Sequence, residues 1–248
     1  MYKSGCIAMK QHGFSIVEAM ISMLIGIILL AGSMQVFISS KKSFLLQDAI
    51  SQIQDDARFA IHFITRDLRH AGYPQGNLGV NEGAGEALAF DISDNKTSNN
   101  SSEGSDQLAI KYESLADCTG NATPLKQGYS RVTINHYRLD SAILKCSGNS
   151  GNTMELAENV EKFHALYGVD TDGDGVANYY QHADNITGGA SSWNSIVSVR
   201  FALLFASSDS VGARQKAFSL LNEGAYIPPD DGKLRRVFVS TVMLRNRI

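Results

Sequence analysis

The chain has 248 residues, 44% of them hydrophobic, with 22 basic against 25 acidic side chains and a formal net charge of −3. That length holds one sizeable core plus an anchor and leaves little room for two full domains. The charge balance lacks the strong basic field that nonspecific nucleic-acid binding requires, so no nucleic-acid partner is expected.

Residues 1 to 13 read as a short basic leader, with Lys3 and Lys10 and the ending Lys10-Gln11-His12-Gly13. Phe14-Ser15-Ile16-Val17-Glu18 follows without a gap and opens an almost unbroken apolar run to Ile38. About 20 apolar residues suffice to cross a bilayer as a helix. The lysines ahead of the span place the leader in the cytoplasm and everything after about residue 40 on the far side. Glu18 sits inside the start of this run, where hydrocarbon makes an unpaired charge costly by a few kcal/mol. It therefore needs a partner. A secretory signal would carry its cleavage site after the apolar core, beside small residues. Here the glycine-ended polar site precedes the core, and a plain anchor leaves both Glu18 and the Gly13–Phe14 junction unexplained.

From Ser39 the sequence becomes amphipathic, and residues 39 to 72 are predicted to continue the helix. Leu46, Ile50, Ile53, Ala57, Ile61, Ile64 and Leu68 recur every three or four positions. Lys41, Lys42, Asp48, Asp55, Asp56, Arg58, His62 and Asp67 fall largely between them, the pattern of one buried face. Gly72-Tyr73-Pro74 supplies the stop, with Arg66, Arg69 and His70 favouring the negative end of the dipole. One continuous helix of this extent would be about 80 Å long.

Residues 73 to 106 read as a flexible, loop-rich connector. Their glycines and the run Asp94-Asn95-Lys96-Thr97-Ser98-Asn99-Asn100-Ser101-Ser102 bury too little to order well, apart from one short strand at 87–92. A β-rich head over 107–248 follows. Strands are predicted at 107–113, 131–139, 142–146, 160–169, 196–206 and 234–245 from alternating apolar and polar residues. A helix at about 211–222 is the remaining expected element. The apolar face of the sheet needs cover, and the amphipathic half of the long helix is the obvious partner. The expected class is α+β.

Cys6 belongs to the leader, which leaves Cys118 and Cys146 as an even pair in the segment placed outside the cytoplasm. A disulfide is the favoured reading, because no His or Cys near either one has metal-ligand spacing. Asp170-Thr171-Asp172-Gly173-Asp174-Gly175 sets three carboxylates at alternate positions before a glycine, like the first half of an EF-hand loop. Asp170, Asp172, Asp174, the Val176 carbonyl and Asn178 are the candidate calcium ligands. Gln181 stands where a bidentate glutamate is expected, and a solvated acidic turn is the plainer alternative. No catalytic motif is present, and the histidines at 62, 70, 136, 164 and 182 are scattered without ligand spacing, so an enzyme is not expected.

The Gly13–Phe14 junction with Glu18 resembles the class III signal of type IV pilins and pseudopilins. In that family a prepilin peptidase cuts after the glycine and methylates the new N-terminal phenylalanine. The glutamate five residues on pairs with the N-terminal amine of a neighbouring subunit. The resemblance thus implies cleavage between Gly13 and Phe14, methylation of Phe14 and an assembly role for Glu18. Further on, Asp56-Ala57-Arg58-Phe59-Ala60, Arg66-Asp67-Leu68-Arg69-His70-Ala71-Gly72-Tyr73 and Ser105-Asp106-Gln107-Leu108-Ala109-Ile110-Lys111-Tyr112 are similar to minor pilins of the PilW type. So are Tyr167-Gly168-Val169-Asp170 and Thr241-Val242-Met243-Leu244-Arg245-Asn246-Arg247.

The resemblance implies the type IV pilin fold, in which residues 14 to 38 are both membrane anchor and filament core. It also implies a minor pilin that primes or caps pilus assembly. Its partners would be the prepilin peptidase, other minor and major pilins, and the inner-membrane assembly platform. The chain would sit in the inner membrane with a periplasmic head before assembly, and in a surface pilus after it. A minor pseudopilin of type II secretion and a calcium-dependent adhesive or sensing head are the competing expectations.

Overall fold

A computed structural model of the chain describes residues 13, 15–73, 89–102, 104–123, 131–221 and 223–247. The leader ahead of Gly13, Phe14 and the 74–88 part of the expected connector lie outside the described residues. The chain divides into two compact units, one ending at Gln47 and the other running from Asp48 to the C-terminus.

Helix α1 spans Ile16–His70. Its first-unit residues are almost all exposed, including Met20, Met23, Leu29 and Leu30. The most apolar stretch has a mean hydropathy of 2.3 and none of it is buried. In the second unit the same helix turns one face inward. Ala49, Ile53, Ala57, Ala60, Ile64 and Leu68 are buried at the three- and four-residue spacing of one helical stripe. Three alanines in that stripe let the helix backbone lie close to the strands beneath it. The helix ends at Gly72, whose positive φ of 73° suits glycine. Its N–H then donates to the Lys111 carbonyl at 2.9 Å. Asn246, near the far end of the chain, donates its side-chain amide to the carbonyls of Arg69 and Ala71, both at 3.2 Å. Those are orphan acceptors of the last turn.

Among the described residues, nine strands make two antiparallel sheets instead of the single sheet that the alternation suggests. The first has the order β1 (Ser98–Ser102), β2 (Ser105–Glu113), β3 (Val132–Asp140), β4 (Ile143–Ser147) and β5 (Thr153–Ala157). The second runs β7 (Tyr179–Gln181), β6 (Val160–Val169), β8 (Ile196–Ser210) and β9 (Lys233–Met243). A four-residue helix, α2 (Ala190–Trp193), precedes β8. Strand β3 alternates strictly, burying Thr133, Asn135, Tyr137 and Leu139. Its turn into β4 places Ser141 and Ala142 at φ 54° and 60°, as a two-residue hairpin turn of the primed kind needs. One core joins α1 to both sheets through Leu108, Ile110, Tyr137, Leu144, Phe163, Val199, Phe201 and Leu203.

Two expectations need correction. The Asn- and Ser-rich run reads as loop, yet residues 98–102 form β1, because β2 offers an edge whose ladder bonds do not depend on side-chain apolarity. No helix forms over the described residues of 211–222. Within that segment Phe218 forms an antiparallel bridge to Tyr226. It lays Phe218 and Leu220 over Ala202 and Leu204 on the second face of β8. Alternate residues covering a strand need a period of two, which a helix cannot supply.

Cys118 and Cys146 are joined, with an S–S distance of 1.96 Å and a sequence separation of 28. The bond ties the segment after β2 to β4. Replacing both cysteines with serine is expected to lower the unfolding free energy by about 3 to 4 kcal/mol. Urea denaturation of the paired variant checks this, and a loss under about 1 kcal/mol would assign that segment's order to its hydrogen bonds instead.

Candidate functional site

At the start of α1, Gly13 and Ser15 are exposed, and Glu18 lies in the first helical turn, also exposed. The first turn is closed by Ala19 N–H to the Ser15 carbonyl at 3.1 Å, and Ser22 Oγ donates to the Glu18 carbonyl at 2.8 Å. The apolar side chains that follow have no cover among the described residues. Such a surface needs lipid or other copies of a similar helix. A carboxylate near a helix N-terminus is favoured by the dipole by under about 1 kcal/mol, too little to repay its transfer into hydrocarbon. The site is therefore incomplete in one isolated chain.

In the second unit, the spacing along α1 grouped Asp67 with the solvated charges. The structure corrects this, because Asp67 is completely buried. Its Oδ1 accepts from the Tyr112 hydroxyl at 3.1 Å and from the Arg66 guanidinium at 3.3 Å. Its Oδ2 accepts from Asn135 Nδ2 at 2.6 Å and from the Tyr137 hydroxyl. Asn135 also donates to Tyr112 at 3.0 Å and accepts the Cys118 N–H at 2.9 Å. A chain of polar contacts thus runs from α1 through β2 and β3 to the disulfide. Burial, reinforced by the Asp67 charge, pushes the phenols of Tyr112 and Tyr137 well above their ordinary range. Both stay protonated and serve as donors to the carboxylate. No period along the sequence marked these partners, since they lie 45 to 70 residues away.

The loop after β6 brings carboxylate oxygens of Asp170, Asp172 and Asp174 within 4.8 Å of one another. Asp170 accepts three backbone N–H groups, from Gly173 at 2.7 Å, Gly175 at 2.9 Å and Asp172 at 3.2 Å. The bonds from Gly175 and Gly173 hold its carboxyl below the usual range, so it is ionised. Gly173 and Gly175 both take positive φ, 79° and 82°. Asn178 Oδ1 accepts from Thr171 N and Oγ1 at 2.7 and 2.9 Å, which closes the loop and occupies the oxygen expected to face a cation. The Val176 N–H donates to Asp174 at 2.8 Å.

Comparisons with known proteins bear on the two ends of the chain. The prokaryotic N-terminal methylation motif matches residues 8–34. With a bare apolar helix behind that motif and a β-rich unit after it, this is a protein of the type IV pilin class. Residues 102–246, more than half of the chain, match type IV pilus-assembly protein W, and the chain belongs to that family. A type IV-like pilin from Thermus thermophilus is a structural neighbour at 15% identity and a TM-score of 0.49, over 79% of this chain and 97% of that one. No curated protein matches the chain.

Proposed function

We propose that the chain is a minor pilin that primes or caps a type IV pilus. It would enter the inner membrane as a precursor and lose residues 1 to 13 to the prepilin peptidase. Methylation of Phe14 would follow, and then packing of α1 among the helices of other pilins at the assembly platform. The observation that carries this reading is the exposed apolar first part of α1 with Glu18 inside it. The amine created at Phe14 and the Glu18 carboxylate of a neighbour would neutralise each other where neither can be solvated. Phe14 to Ile38 then acts as anchor before assembly and filament core after it, with the head outside the inner membrane.

Mass spectrometry of sheared filaments and of membranes tests this. A peptide beginning at methylated Phe14, at low abundance in the filaments, is the expected result. The same peptide in membranes alone would favour a pseudopilin of type II secretion, and an intact Gly13–Phe14 bond in both fractions would sink the reading.

Convergence of the three Asp carboxylates supports a second, separable property, calcium binding at the Asp170 loop. Hard oxygen ligands around a glycine-shaped turn suit that ion. With Gln181 in place of a bidentate glutamate and Asn178 tied to Thr171, the affinity is expected near that of extracellular modules, about 10⁻⁴ to 10⁻³ M. Asp172→Ala should abolish the calcium-dependent rise in melting temperature. No change in the parent up to about 10 mM calcium would remove the idea, since that lies well above this range.

A further inference from the structure

The fold assembles a group of ligand-type side chains that their spacing in sequence does not suggest. Asp106 on β2, His164 on β6, His182 just after β7 and Glu223 in the long β8–β9 connection come from four segments. Ligand atoms of Asp106, His182 and Glu223 all lie within 4.8 Å of one another. Asp106 is 1% exposed and His164 4% exposed. His182 Nδ1 stands 3.4 Å from Glu223 Oε1. His164 Nδ1 is 3.3 Å from Asp106 Oδ1 and 3.8 Å from Glu223 Oε1.

Two features separate this group from an ordinary ion-pair cluster. His182 Nδ1 is buried and has no hydrogen-bond partner among the described residues, although Glu223 is near enough, so the geometry defeats the bond. The 3.4 Å between His182 Nδ1 and Glu223 Oε1 also matches a different arrangement. Ligand atoms about 2.0 to 2.1 Å from a tetrahedral zinc are about 3.3 Å apart. One imidazole and two carboxylates are a donor set that late first-row divalent ions accept.

We propose that Asp106, His182 and Glu223 bind a zinc-type divalent cation, with His164 as the positioning residue that orients the two carboxylates. His182 supplies Nδ1, and Asp106 and Glu223 supply one carboxylate oxygen each. The second oxygen of Asp106 is held by the Ala165 N–H at 2.8 Å, which fixes the direction of the ligand. A ligating carboxylate held by such outer contacts is the usual construction of a protein metal site. The cation would fasten the 211–232 segment to the seam between the two sheets.

The test uses the full chain in detergent, in a Cys6→Ser, His12→Gln background that removes the leader's own zinc-binding side chains. Zinc is titrated in competition with a chromophoric chelator after EDTA treatment. The parent is expected to bind one zinc that Glu223→Gln and His182→Gln each lose. His164→Gln should weaken the site by about 10- to 100-fold, whereas Asp172→Ala and His62→Gln should leave it unchanged. Melting curves in EDTA establish that the Glu223 and His182 variants remain folded. Absence of zinc from the parent overturns the proposal, as would equal affinity across all the variants. Protonated imidazoles against the same carboxylates are the competing arrangement, and it gives the first of those results.

Discussion

Asp67→Ala is expected to lower the stability of the head by about 3 to 5 kcal/mol, the usual cost of removing one member of a buried charged network. The substitution leaves the hydroxyls of Tyr112 and Tyr137 inside the core without their carboxylate acceptor and takes one of two acceptors from the Asn135 amide. A buried polar group so abandoned costs about 1 to 3 kcal/mol. Since a domain has only about 5 to 15 kcal/mol in total, the loss is a large share. Asp67→Asn keeps one acceptor oxygen and should lose less. Trp193, the sole tryptophan, is buried against Phe90 and Tyr167 and reports on unfolding. Urea denaturation followed by its emission measures the effect. An unchanged midpoint for Asp67→Ala would mean that the network contributes nothing net.

Glu18→Gln is expected to prevent incorporation into filaments while leaving the head intact. Under the proposed function, the carboxylate neutralises a charge on another subunit, and a neutral amide leaves that amine alone in a low-dielectric surrounding, at a cost of a few kcal/mol per contact. Every 1.4 kcal/mol is a factor of ten in association, so a drop of two orders of magnitude or more in filament content follows. Membrane content, cleavage after Gly13 and the Trp193 melting curve should match the parent. Parental levels of the variant in sheared filaments would show that Glu18 is dispensable for assembly.

What sequence alone reveals depends on whether the information is local. The stripe Ile53, Ala57, Ile64 and Leu68 is legible because a helix repeats within four residues, and all four are buried. Strand β8 is legible for the same reason, although its other face also packs, against Phe218 and Leu220. Strand β1 is not legible, because serine and asparagine give no period and its order comes from the β2 edge. Asp67 is misread for a related reason. It falls on the apolar stripe itself, three residues after Ile64, and Arg66 with the three partners on β2 and β3 makes its burial tolerable. The grouping of His182 with Asp106 and Glu223 is likewise a product of topology. The N-terminal signal is the opposite case, since Gly13, Phe14 and Glu18 lie within six positions of each other and need no fold to be recognised.

The clasp at the end of α1 also constrains the order in which the head can form. Ribosomes deliver the helix first, yet its last turn is completed by Asn246, 177 residues after Arg69. The core beneath the helix likewise waits for Val199, Phe201 and Leu203 of β8. The apolar stripe from Ile53 to Leu68 therefore stays uncovered until nearly the whole chain has emerged. A fold dominated by such distant contacts closes slowly and exposes sticky surface meanwhile. By contrast, the Cys118–Cys146 loop can close much earlier, with only 28 residues to span. Truncation by even the last few residues should thus be felt first as failed maturation rather than as a missing surface.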